Sequence, residues 1–258
     1  MKILQADTLS HDVTSSALRA LRSATTPAMI FGSVARGDAS EVSDIDVLEL
    51  TPHSSGVNAF GRVHVYAYAE SRLRSMAEHG ALFVLHLKLE GRILRDFNGA
   101  LDSCLRAYKP PQAYEPYLRA LRATANLLET SSEAYEARWK SYNDLAVFIM
   151  RTALYVRFAE VGDPVFSLTA IARRLQRQEF TSALKLKTAK APAFDNYVLV
   201  CALVSEFLNT RIHNPFGTIE ALVTNQGLEH PSLVAWGLRL LGNESPTLGY
   251  DLLTPPSL

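Results

Sequence analysis

The period of the apolar pattern changes once along this chain, at Lys109-Pro110-Pro111, and that change restricts the fold more than any other feature. Upstream, short apolar runs suited to strands alternate with helical segments. Residues 28–31 form a brief apolar run ending in Gly-Ser, and 45–50 form a second strand candidate. Residues 62–69 alternate strictly, with Val63, Val65 and Ala67 on one face and His64, Tyr66 and Tyr68 on the other. Helical spacing predicts helices over 14–23, 71–78 and 81–90, with His79-Gly80 as a stop, and a closing strand at 92–94. Downstream, helices are expected over 114–128, 132–160, 168–177, 194–208, 218–225 and 232–241. Gly162-Asp163-Pro164 and His213-Asn214-Pro215 supply breaks between them. The expected architecture is α+β: a mixed sheet with helices over 1–110, then an all-α helical bundle over 111–243. Residues 244–258 are polar and proline-rich and are expected to form a tail, whose hydroxyls Ser245, Thr247, Tyr250, Thr254 and Ser257 are conceivable acceptors for self-modification.

Composition narrows the function classes. With 48% hydrophobic residues the chain is too apolar to be disordered, yet its apolar runs at 145–150 and 197–204 are short. A membrane-spanning helix needs about 20 such residues, so no membrane association is expected. Residues 1–12 lack the apolar core of a secretory leader, which points to the cytoplasm. Cys104 and Cys201 give neither a disulfide framework nor metal-ligand spacing. The 26 basic and 26 acidic side chains cancel, but unevenly: 12 against 8 in 111–190, and 2 against 6 in 191–258. The basic excess is densest from Arg173 to Lys190, where Arg173, Arg174, Arg177, Lys185, Lys187 and Lys190 oppose Glu179. Such a patch attracts phosphates, although a dedicated duplex-binding protein would be more basic overall.

The chemistry concentrates in Gly32-Ser33 and, ten residues on, Asp44-Ile45-Asp46. A strand delivers Gly32 and Ser33 to the start of a short helix, where exposed N–H groups and the Ser33 hydroxyl suit phosphate oxygens. A period of two sends the Asp44 and Asp46 carboxylates to one face of the next strand, with Ile45 and Val47 turned inward. Two carboxylates about 6–7 Å apart repel as bare anions, and a divalent cation resolves the repulsion. Mg²⁺ suits this set, because it takes few carboxylates and completes its shell with water and substrate phosphate. A phosphate-binding turn facing such a pair describes metal-assisted phosphoryl or nucleotidyl transfer.

This segment resembles the Gly-Ser, ten residues, Asp-x-Asp pattern of the DNA polymerase β-like nucleotidyltransferase superfamily, especially its minimal and aminoglycoside-modifying branches. The likeness extends loosely through Glu90-Gly91-x-x-Leu94-x-Asp96. It implies a catalytic domain over 1–110 in which Asp44 and Asp46 hold Mg²⁺, two ions in all, while Gly32, Ser33 and Arg36 contact the nucleotide. Family members usually carry a third carboxylate on the neighbouring strand, but His64, Tyr66 and Tyr68 are not acidic. Glu70 and Glu90 are the nearest acids and are expected to serve as ligand or base. His64 is an alternative base, and a degenerate site is a third possibility. His86 and Glu90 lie four apart on one helix face, which either aims Glu90 at the pocket or makes His86 a core residue. The helical domain of the superfamily commonly adds a cation at the β/γ-phosphates, for which Lys140 and Arg151 are the candidates.

The resemblance implies an NTP or dNTP, ATP included, as substrate. The acceptor is left open among a protein hydroxyl, a small molecule and a growing nucleotide chain, the last resembling template-free synthesis in bacterial antiphage defence. The alternative is a catalytically impaired binding module or antitoxin, with the helical half as surface for a partner protein or a second copy. Arg211-x-His213 has the wrong spacing for an associated RNase motif and reads as a helix-terminus histidine.

Overall fold

The computed structural model describes residues 4–5, 9–40, 43–52 and 56–242. The expected tail at 244–258 therefore lies outside the described residues. The described chain divides into two units, one ending at Gln112 and the other beginning at Ala113.

The first unit contains β1 (Leu4–Gln5), α1 (His11–Ala20), β2 (Ala28–Phe31), α2 (Gly32–Arg36), β3 (Ile45–Thr51), β4 (Gly56–Phe60) and β5 (Val63–Ala69). It continues with α3 (Glu70–Glu78), α4 (Leu82–Glu90), β6 (Arg92–Arg95) and α5 (Ala100–Arg106). The strands form a six-stranded mixed sheet in the order β1-β6-β2-β3-β5-β4. At its centre β2 runs antiparallel to β3, and β3 runs parallel to β5. Both faces are covered. Ile30, Val47, Val63 and Val65 pack with Ala17 of α1 and Ala35 of α2 on one side. On the other, Met29, Phe31, Leu48, Leu50, Tyr66 and Tyr68 pack under Leu73, Phe83, Leu87, Leu101 and Leu105 from α3, α4 and α5. The alternation read along 62–69 is thus present, but with both of its faces buried. Burying each of these large side chains contributes about 1.5–3 kcal/mol, so the sandwiched strands are the most constrained part of the unit.

Local chemistry sets the element ends. The Ser10 hydroxyl accepts from the Val13 amide at 3.3 Å and caps α1. The Asp96 carboxylate accepts from the Leu101 and Asp102 amides at 3.1 and 2.9 Å and so nucleates α5, which periodicity alone does not reveal. β4 is likewise missing from the sequence reading. It is a largely exposed edge strand holding Gly56 and Asn58, and it lacks the burial alternation that marks a strand.

The second unit is helical: α6 (Glu115–Ala125), α7 (Ser132–Glu160), α8 (Leu168–Leu175), α9 (Ser182–Lys187), α10 (Phe194–Leu208), α11 (Ile219–Gln226) and α12 (Pro231–Leu240). The 29-residue α7 packs against α6, α9, α10 and α12. It bends at Arg138, whose φ is −141° and whose Nη1 donates to the Leu240 carbonyl at 2.6 Å. The Tyr135 hydroxyl donates to Asn143 Oδ1 at 2.9 Å and accepts from the Ala193 amide at 3.0 Å. That polar link ties α7 to the start of α10. No helix of the described residues is long and apolar enough to cross a membrane.

Candidate active site

β2 and β3 bring the two halves of the Gly-Ser, Asp-x-Asp segment together. Phe31 pairs with Asp46 in their antiparallel register, so Gly32, the first residue of α2, stands beside the Asp46 rung. The approach is close. A β-carbon built on Gly32 would lie 2.8 Å from Asp46 Oδ2, and Gly32 also holds φ +75°. Only glycine meets both conditions without strain. Phe31 precedes α2 without any side-chain cap on its first amides, and Ser33 is partly exposed one residue further on. Gly37 closes α2 in the left-handed region at φ +80°.

Asp44 immediately precedes β3 and Asp46 is its second residue. Both are partly exposed, whereas Ile45 between them is buried in the core on the α1 side. The Asp44 backbone is held at both flanks by one residue that sequence reasoning missed. Arg62 donates from Nε and Nη2 to the Ser43 carbonyl at 3.1 and 2.7 Å, and its own carbonyl accepts from the Ile45 amide at 2.8 Å. The signal for Arg62 was its place at the start of the alternating strand, next to β3 only once the register is known.

The expected third acid does not join this pair. Among the described residues no group of three or more His, Cys, Asp or Glu side chains is placed to hold a metal. Glu70 is corrected by the strand register: β5 starts beside Ile45 and ends with Ala69 beside Thr51, so Glu70 follows at the opposite end of the strand pair. At about 3.3 Å per residue, that is roughly 16 Å or more beyond the Asp46 rung. There it starts α3 and pairs with Arg74 at 3.3 Å.

Glu90 is committed elsewhere. Its Oε2 lies 2.8 Å from Arg36 Nη1 and 3.0 Å from His86 Nε2, with the Glu90 side chain 16% exposed. Burial alone would raise the Glu90 pKa, but His86 and Arg36 outweigh it and hold the carboxyl below its ordinary range. Arg36, expected to contact nucleotide, is bound to Glu90 and also reaches Asp38 with Nε at 3.2 Å. His86 is a core residue, its ring edge-on to Phe31 at 5.8 Å.

The residue that β5 does set beside Asp46 is His64, its direct partner in the parallel register. Lys140 and Arg151 belong to α7 of the second unit. Lys140 is exposed, with Nζ 5.5 Å from the Trp139 ring centroid, and Arg151 is partly buried over Tyr155 at 5.8 Å.

The basic run of the second unit is partly neutralised, with Arg173, Lys185, Lys187 and Lys190 exposed. Arg174 pairs with Asp163, and Arg177 pairs with Glu179 and Glu206, acids that the linear charge pattern sets partly outside the run. His213 Nδ1 sits 3.3 Å from Glu129, which also accepts from the Asn214 amide, so that histidine fixes a loop.

Residues 15–90 match the family model for the nucleotidyltransferase domain. The structure of a nucleotidyltransferase-like protein from Exiguobacterium sibiricum 255-15 is similar at 16% identity, over 87% of this chain and 90% of that one. Its TM-score is 0.31. Among curated proteins none matches the chain. The resemblance carried by Gly32-Ser33 and Asp44-x-Asp46 falls within the segment that matches the nucleotidyltransferase domain.

Proposed function

We propose that this chain moves a nucleotidyl group from an NTP or dNTP to an acceptor hydroxyl, with Mg²⁺ as cofactor. The observation that carries the reading is the seating of the Asp46 carboxylate against Gly32, inside a segment matching the nucleotidyltransferase domain. It sets an acid of the Asp-x-Asp pair at the mouth of the Gly-Ser turn. Asp44 and Asp46 present hard oxygen donors with partial solvent access, and Asp46 lies so close to Gly32 that any side chain there would displace its carboxylate. That donor set fits Mg²⁺, which needs only one or two carboxylates. Bound by Asp44 and Asp46, the metal would offset phosphate charge and acidify the acceptor hydroxyl.

The chain's own residues then bind and orient. The Ser33 hydroxyl and the first α2 amides hold phosphate oxygens, and Arg62 keeps the Asp44 backbone at its place on the rim. The acceptor is a hydroxyl of a protein, of a small molecule or of a growing nucleotide chain. A growing nucleotide chain would draw on the Arg173–Lys190 cations, of which Arg174 and Arg177 are already engaged in ion pairs.

One observation favours a second reading, a nucleotide-binding module without transfer activity: among the described residues no third acid accompanies Asp44 and Asp46. Purified protein incubated with Mg²⁺ and each NTP and dNTP, followed by intact mass spectrometry and nucleotide quantification with and without candidate acceptors, separates the two. Adducts or nucleotide consumption abolished by Asp44→Ala/Asp46→Ala support transfer. Nucleotide binding without turnover supports the second reading, and absence of binding overturns both.

A further inference from the structure

At the junction of α4 and β6, Glu90 and Arg92 both reach the short helix that carries the Gly-Ser turn, and Gly91 between them packs on β2. Glu90 takes the Arg36 guanidinium at 2.8 Å. Gly91 lies so close to β2 that an added β-carbon would stand 1.9 Å from the Met29 methyl and 2.5 Å from the Leu87 carbonyl oxygen. Arg92 donates from Nε to the Ala35 carbonyl at 3.2 Å. The helix so held is only five residues long. A helix of that length has little stability of its own, so its orientation comes from outside contacts.

We propose that Glu90 is a positioning residue for nucleotide transfer: through Arg36 it fixes α2, and with it Gly32 and Ser33, opposite Asp46. His86 supports the carboxylate from one helical turn back, at 3.0 Å, and is itself anchored against Phe31 at the end of β2. Glu90 thus acts on the site through Arg36 and not as a metal ligand. The charged contact lies between side chains 19% and 16% exposed, where water screens it little. This inference rests on the nucleotidyl-transfer reading for its kinetic consequence, but its mechanical part is testable alone.

The test uses full-length wild type, Glu90→Gln, Arg36→Ala and the double variant. Glu90→Gln keeps the volume and removes the charge, so the fold survives while the charge-assisted contact weakens. Amide hydrogen exchange is expected to rise at residues 32–37 by about tenfold in Glu90→Gln, with α3 and α5 unchanged. The nucleotide KM, or the Kd of a fluorescent nucleotide if turnover is absent, is expected to rise by about tenfold while the Mg²⁺ dependence stays put. The double variant is expected to be no worse than the poorer single one. Unchanged exchange at 32–37, or additive effects, would overturn the inference. A shifted Mg²⁺ dependence would overturn it too, by making Glu90 a ligand. Loss of the transfer reading would show differently, as a wild type that neither binds nor turns over nucleotide while the exchange result still decides the role of Glu90.

Discussion

The carboxylate of Asp46 rests on the backbone of Gly32 so closely that a single added methyl group would meet Oδ2 at 2.8 Å. Gly37, at the other end of the same helix, also has a positive φ but has nothing within 4 Å of such a methyl. The two positions separate backbone strain from contact. Gly37→Ala is expected to cost about 1–2 kcal/mol, the left-handed penalty alone. Gly32→Ala carries that penalty and displaces Asp46, so it should cost more and also abolish Mg²⁺-dependent nucleotide binding. Urea denaturation and fluorescent-nucleotide titration of both variants check this.

His64 stands beside Asp46 across the β3–β5 ladder. Substituting His64→Asp places a third carboxylate at the rung where the superfamily pattern expects one. Divalent affinity is expected to rise several-fold, measured by Mn²⁺ binding. Without metal, thermal stability should fall, since like charges on neighbouring rungs repel. Equal melting temperatures with and without divalent cation would count against the placement of the site.

Acid sensitivity follows from Glu90. Its folded pKa lies below the ordinary value, so its contribution to stability is complete above the unfolded pKa, about 4.3. The contribution drains away as pH falls through the depressed folded value. Thermal melts between pH 3 and 6 are expected to show a shallower acid limb in Glu90→Gln than in wild type. Parallel limbs would mean that the pairing with Arg36 and His86 carries no net stability.

Glu49 is fully buried on β3, its Oε1 accepting from the Arg22 amide at 3.0 Å and the Thr26 hydroxyl at 2.7 Å. It ties the α1–β2 connection to the sheet. Glu49→Ala is expected to cost about 1–3 kcal/mol, because two donors lose their buried acceptor. Glu49→Gln, which keeps an acceptor oxygen, should cost less. Urea midpoints of the two variants test the order.

Much of this architecture was legible in the sequence because burial has a period. The alternation at 62–69 and the apolar run at 28–31 mark β5 and β2, and helical spacing gives α7 and α10 with their observed ends. β4 and α5 were not legible, since one is an exposed edge and the other depends on a carboxylate five residues before its first capped amide. In the site, local spacing was enough to set Gly32 beside Asp46. The fate of Glu70 and Glu90 turned on partners 54 residues apart and on strand register, and neither is written in local spacing. The pairing of Arg174 and Arg177 within the basic run was hidden for the same reason, their countercharges at Asp163 and Glu206 lying outside it.

The contacts made by Glu90, Gly91 and Arg92 leave no slack in the chain. Adding or deleting one residue there would turn Arg92 to the opposite side of β6 and carry the glycine away from Met29 in the same stroke. The turn between β4 and β5, where Gly61 has open space around it, carries no such restriction. A scan of single-residue insertions should therefore find the hinge of α4 and β6 the most intolerant connection in this domain, although no catalytic group resides on it.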